Sequence, residues 1–304
     1  MAKLQKLVRT AKAFLSGLAE ILIFFGYICP HNPFIGIENM RRTIVLLIYF
    51  IGYQLLAQAA AIVVQHYLHL EGDTATMVLV AASAAGSLLM GVHVVLMGDV
   101  PHHRRILSPG PAPLLPLCLL LMAAMGCWTN YLTEQMHLPD HHEELVRQLM
   151  RSPLGIVSVT LIAPVVEELV FRGAIQNALL RQWRFPEAAI GVAALLFGLV
   201  HGNPAQIPFA FLTGLVLGWV YFRTGSLLPC ILMHLLNNGS SVVLFHLTGQ
   251  RMDLTMAEQL GPAGALWTAV SGAAVTALCL YLIHRQTAPQ GIPPEKEHPK
   301  NIQA

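Results

Sequence analysis

The sequence predicts an all-α, polytopic membrane helix bundle of about eight transmembrane helices, with an amphipathic helix at its N-terminal end. Three observations carry that prediction. The 304 residues include only 18 basic and 16 acidic side chains, 11% of the chain, where soluble domains carry about 25%. Apolar runs close to the roughly 20 residues needed to cross a bilayer recur along the chain, and the mean hydropathy is +0.59. Strand-type alternation is absent, which argues against a transmembrane barrel. This balance excludes a soluble globular enzyme, a disordered chain and a disulfide-stapled secreted domain. A net charge of +2 is too small to point to nucleic acid.

The elements follow in order. Over residues 1–42, Leu4, Leu7, Val8, Ala11, Phe14, Leu15 and Leu18 recur at helical spacing, with Lys3, Lys6, Arg9 and Lys12 largely on other faces. That pattern predicts a helix lying in the anionic inner leaflet. A signal peptide is the rival reading, since a basic start leads into an apolar run; Glu20 interrupts that run, and Gly26-Tyr27-Ile28-Cys29-Pro30 is a poor cleavage site. Spans are then expected near 43–64, 75–97, 113–132, 154–180, 188–200, 206–222, 227–248 and 262–283. Residues 43–150 hold the first three spans and their loops, 151–284 the remaining helical core, and 285–304 a Pro- and charge-rich tail expected to be disordered and cytoplasmic. The five cysteines (Cys29, Cys118, Cys127, Cys230 and Cys279) show no CxxC spacing and read as small apolar fillers.

Basic residues orient the bundle. With both termini cytoplasmic, inner segments hold Lys3, Lys6, Arg9, Lys12, Arg41, Arg42, Arg104, Arg105, Arg181, Arg184, Arg223, Arg285, Lys296 and Lys300, against Arg147, Arg151 and Arg251 outside. Short loops on a compact chain suit a multi-pass protein of the bacterial inner membrane.

Deep in the spans lie three charges, Glu167, Glu168 and Arg172, all on the fourth helix. An ionisable group at membrane depth costs at least about 2.5–3.5 kcal/mol, so each is a functional candidate. Glu168 and Arg172 are four apart and can pair on one face. Glu167 points about 100° away, towards a potential cavity. Pro164, just ahead of them, removes a backbone hydrogen bond and predicts a kink. Adjacent carboxylates sharing one cation resist double ionisation, a condition that suits a general base working near neutrality. His201 ends the fifth span, and His234 and Asn238 share a face of the seventh. Rise per residue puts all of these groups near one layer of the membrane. Gly202-Asn203-Pro204 predicts a break at membrane depth, tolerated only where it is packed in protein or lines a wet cavity. A carboxylate base, two imidazoles and an amide could activate water and hold an oxyanion. Alternatively His201, His234 and one of the two glutamates could bind a divalent metal such as zinc. HExxH is absent. The loop Asp140-His141-His142-Glu143-Glu144 has ligand-type residues but is expected to be a solvated loop or helix start, and His102-His103-Arg104-Arg105 a headgroup anchor.

The segments EELVFR (Glu167–Arg172), FGLVH (Phe197–His201) and HLLNN (His234–Asn238) resemble the three signatures of the CPBP family of intramembrane proteases, EExxxR, FxxxH and HxxxN, in order. That family includes CAAX prenyl endopeptidases and bacterial proteins linked to bacteriocin self-immunity. The resemblance covers roughly residues 150–250. It implies that Glu167 is the general base, that Glu168, His201, His234 and Asn238 complete the water-activating or metal-binding site, that Arg172 orients Glu168, and that Phe197 packs beside it. The expected activity is hydrolysis of a peptide bond in a membrane-associated protein or peptide, prenylated if the CAAX analogy extends that far. A proton-coupled transporter using the same groups as a relay, and a non-catalytic scaffold or immunity protein, are the alternatives.

Overall fold

A computed structural model describes residues 33–252 and 254–289, with side chains from Arg41 onward. The N-terminal amphipathic segment and most of the C-terminal tail lie outside the described residues. Within them the chain is helical throughout, without strands, as the composition requires. The helices are α1 (Pro33–Tyr67), α2 (Gly72–Leu96), α3 (Leu114–Gln135), α4 (Glu143–Arg151), α5 (Pro153–Leu180), α6 (Pro186–Leu199), α7 (Ile207–Thr224), α8 (Leu227–Leu247) and α9 (Met256–Gln286). Seven of these are long and apolar enough to cross a membrane.

In keeping with the short stretch expected at 188–200, the fifth expected span, α6, has only 14 residues. That rises about 21 Å, against a hydrocarbon core of about 30 Å. The chain therefore reverses over 200–206, and its backbone groups are satisfied locally. His201 N–H bonds to Gly198 O and Gly202 N–H to Leu199 O, while Asn203 O accepts from Gln206 and Ile207. Gly202 sits at φ +62°, a left-handed conformation that only glycine adopts without strain.

The helix start allowed for at Glu143-Glu144 is realised as α4. Residues 143–151 form a short helix after the outer loop, with Met150 packed against Val242 and Phe245 at the far end of α8. Gln148 accepts a hydrogen bond from Thr76 of α2 (3.2 Å). Arg147 and Arg151 bond to Gln250, just beyond α8.

The hub is α5, which packs against α1, α2, α6, α7 and α8. Its hydrogen bonding widens into π-helical turns at Ser158–Ile162 and Leu169–Gln176. Pro164 follows the first of these. Its ring crowds the carbonyl four residues back and it has no N–H to give, so the widened turn lies where the α-helical bond is missing. The residues from Val170 to Asn177 are all buried, whereas none from Val157 to Ile162 is. The bundle is thus tight on the Arg181 side of Glu167 and looser on the Pro153 side.

Candidate active site

Glu168 is the centre of a buried polar network at the middle of α5. Its side chain is 0% exposed, and its Oε1 accepts from Arg172 Nη1 at 2.8 Å. The same oxygen accepts from Nδ1–H of His234 on α8, also at 2.8 Å. Burying three ionisable groups is costly unless they are paired with each other, and here each faces another. Arg172 is held on two further sides. Its Nη2 donates to the Gly214 carbonyl of α7 (3.3 Å), and its guanidinium lies 4.4 Å from the centre of the Phe197 ring. One turn along α5, the buried Gln176 donates to the Gly218 carbonyl at 2.8 Å. Residues 172 and 176 thus reach carbonyls 214 and 218, four apart on each helix.

Glu167 occupies a different environment one residue away. It is 22% exposed, and its Oε2 lies 3.8 Å from His234 Nε2. The imidazole of His234 therefore stands between the two carboxylates, bonded to Glu168 through Nδ1 and turned towards Glu167 through Nε2. Since Nδ1 is the donor, Nε2 of the neutral ring carries the free lone pair.

His201 is reached through Phe197. The Phe197 ring meets His201 edge-on at 5.1 Å, His234 at 5.8 Å and Phe171 at 5.2 Å. One phenyl ring spaces both imidazoles and the guanidinium. His201 Nδ1–H donates to the Phe197 carbonyl (2.8 Å), which leaves Nε2 to face away from α6.

Asn238 lies one turn after His234 on α8, as the spacing implied, and bonds away from the network. Its Nδ2 donates to Val159 O at 2.9 Å and its Oδ1 accepts from Asn237 (3.1 Å). Val159 lies in the first π-helical turn of α5, so Asn238 ties α8 to that turn; no hydrogen bond joins it to the glutamates or histidines.

The metal set Glu168, His201 and His234 is not assembled. Among the described residues, no three His, Cys, Asp or Glu side chains converge as ligands. Oε1 of Glu168 is shared by a guanidinium and an imidazole while its Oε2 is buried without a hydrogen-bond partner, but one free oxygen is not a site: zinc needs at least three protein donors around one point. The residues present do not fit the ion.

Sequence reasoning passed over Gln176, Gly214 and Gly218, and it noted Asp140 and Asn203 without joining them. Asn203 is 0% exposed. Its Nδ2 donates to Asp140 Oδ1 (2.9 Å), and its Oδ1 accepts from His141 N–H (3.1 Å). The segment expected to be a solvated loop or helix start therefore grips the turn that follows His201. Burial of an Asn beside a helix break was the available signal. His93 of α2, also inside a span, lies 3.1 Å from the Tyr53 hydroxyl of α1.

Residues 150–240 match the family described as Type II CAAX prenyl endopeptidase Rce1-like. The membrane-embedded CAAX protease MroQ of Staphylococcus aureus (strain USA300) is 33% identical over 110 residues, 34% of this chain and 44% of that protein. The membrane peptidase YdiL of Bacillus subtilis (strain 168) is 28% identical over 105 residues, 34% of this chain and 43% of that protein. The chain thus spans less than half the length of the curated relatives it matches. No solved structure matches. These matches bear out the CPBP family resemblance carried by the three motifs.

Proposed function

We propose that the chain is an intramembrane endopeptidase in which Glu167 takes the proton from an attacking water. The observation that carries this reading is the His234 imidazole set between two adjacent carboxylates of unequal exposure. Peptide hydrolysis needs a base that water can reach, a fixed polar group beside it, and stabilisation of the oxyanion. Glu167 is the partly exposed carboxylate and meets the first need. Glu168 is buried and doubly bonded, so it serves to hold His234 in one tautomer and orientation, with Arg172 holding Glu168 in turn. His201 has its Nδ1–H given to Phe197 O, so donation from its Nε2 to the oxyanion or the leaving amine requires the imidazolium form. Asn238 supports the α5 turn beside the site rather than the reacting atoms.

The family match over 150–240 supports a core at 151–284 that acts on a membrane-associated protein or peptide; a prenylated substrate follows from the Rce1-like description by analogy. The looser packing on the Pro153 side of Glu167 supports approach from within the bilayer, between α5 and α8. The bias of basic residues supports both termini on the cytoplasmic side of a bacterial membrane.

The test is Glu167→Gln in purified protein, reconstituted in liposomes, with a fluorogenic prenylated CAAX-type peptide. Loss of cleavage with an unchanged melting profile is expected; retained cleavage overturns the assignment of Glu167. If neither form cleaves and the variant keeps the cellular phenotype, a binding role replaces hydrolysis. Because no ligand set converges, wild-type cleavage should survive exhaustive chelation. Loss on chelation, restored by adding zinc back, overturns the metal-independent chemistry.

A further inference from the structure

We propose that Asp140 and Asn203 form a clasp that positions His201, and that this clasp couples the two histidine-bearing elements of the site. The role assigned to His201 rests on the hydrolase reading above.

His201 stands in an exposed mechanical situation. It lies two residues beyond the end of a short helix, and the chain turns back immediately through Gly202. Among the described residues its ring is tied only to α6, through Phe197 O and the Phe197 ring. The place of that helix end in the site must therefore come from what holds the turn. Asn203 holds it. A buried carboxamide left without partners is destabilising, and both polar atoms of this one are satisfied by the same neighbouring segment. Nδ2 gives its hydrogen to Asp140 Oδ1, and Oδ1 takes one from His141 N–H. Asp140 Oδ1 also accepts from His142 N–H at 2.8 Å, which fixes the loop's own turn just before α4.

The anchor is itself fastened. From α4, Gln148 is bonded to Thr76 of α2, Arg147 and Arg151 to Gln250, and Met150 is packed on Val242 and Phe245 of α8. Helix α8 also carries His234. The clasp thus refers the position of His201 to the frame that holds His234. A displacement near 1 Å in a reacting group can cost about 10²-fold in rate, so a two-hydrogen-bond clasp far from the chemistry can govern turnover.

The reciprocal pattern of donors supplies the test. Asn203→Asp removes the Nδ2 donor and sets a carboxylate against Asp140. Adding Asp140→Asn returns a donor, now from residue 140, at the expense of the acceptor that Asp140 Oδ1 gives His142 N–H, while His141 N–H still has its acceptor at 203. With the prenylated CAAX-type peptide in liposomes, Asn203→Asp is expected to lower kcat by about 10²-fold, with KM nearly unchanged, and the double variant to regain part of it. A wild-type kcat in Asn203→Asp overturns the proposal. So does a double variant no better than the single one, or a loss confined to KM.

A second readout does not depend on cleavage. The His201 imidazole 13Cε1 resonance in labelled, detergent-solubilised protein, assigned with His201→Gln, should move in Asn203→Asp and return in the double variant. If wild type fails to cleave while this resonance behaves so, the hydrolase reading falls and the clasp stands. A resonance indifferent to both changes overturns the clasp whatever the activity.

Discussion

Glu167 and Glu168 are chemically identical neighbours, and their surroundings alone separate them. Helix geometry turns one towards Arg172 and the other about 100° away, which the spacing in the sequence already dictates. The spacing does not dictate that His234 bonds Glu168 through Nδ1, or that Phe197 lies against two imidazoles and a guanidinium at once. Arg172→Met leaves the Glu168 carboxylate buried with His234 as its sole partner. It should destabilise the protein by about 3–5 kcal/mol, read as a drop in melting temperature in detergent, and adding Glu168→Gln should recover part of that loss. Phe197→Leu keeps an apolar side chain of similar reach, so its folding cost should stay below about 1.5 kcal/mol. It removes the ring that spaces His201 from His234, however, and turnover should fall by far more than stability, as paired melting and cleavage assays would show.

Among the elements, the long spans were legible because every turn of a lipid-facing helix must be apolar; expected and observed ranges differ by a few residues at most ends. Bent elements were less legible. Periodicity cannot report that α5 widens into π-helical turns around Pro164, although Pro164 itself predicts a kink; the short α6 was legible in the span expected at 188–200 and the break at Gly202-Asn203-Pro204. How closely neighbouring helices pack was not legible. The α6–α7 pair shows this at its closest approach. A Cβ on Gly214 would lie 3.0 Å from Ala194 Cα, a backbone atom that cannot swing aside. Gly214→Ala should therefore force α7 off α6 at a cost of about 1–3 kcal/mol. Since the Gly214 carbonyl also holds Arg172, the shift should reach Glu168 and lower cleavage in protein that still folds. A melting temperature and turnover equal to wild type would contradict this account.

For the whole molecule, the distribution of basic residues orients the bundle and can be checked directly. In a cysteine-free background, Leu138→Cys should react with a membrane-impermeant maleimide in intact cells, and Gln182→Cys only after lysis; the reverse pattern would invert the topology. Composition alone determined the solvent of this protein, its helical class and the helix that carries its buried charges, because the bilayer penalises each charge and each unpaired backbone group regardless of the partners present. The three motifs determined which side chains to watch. Their arrangement was decided only by tertiary structure. His234 serves both glutamates, Asn238 serves the α5 backbone, the expected metal ligands do not converge, and an outer loop clasps the turn behind His201. The physical reason is that membrane insertion is governed by each residue's own transfer energy, whereas a hydrogen bond across helices depends on crossing geometry and depth, which no single segment encodes.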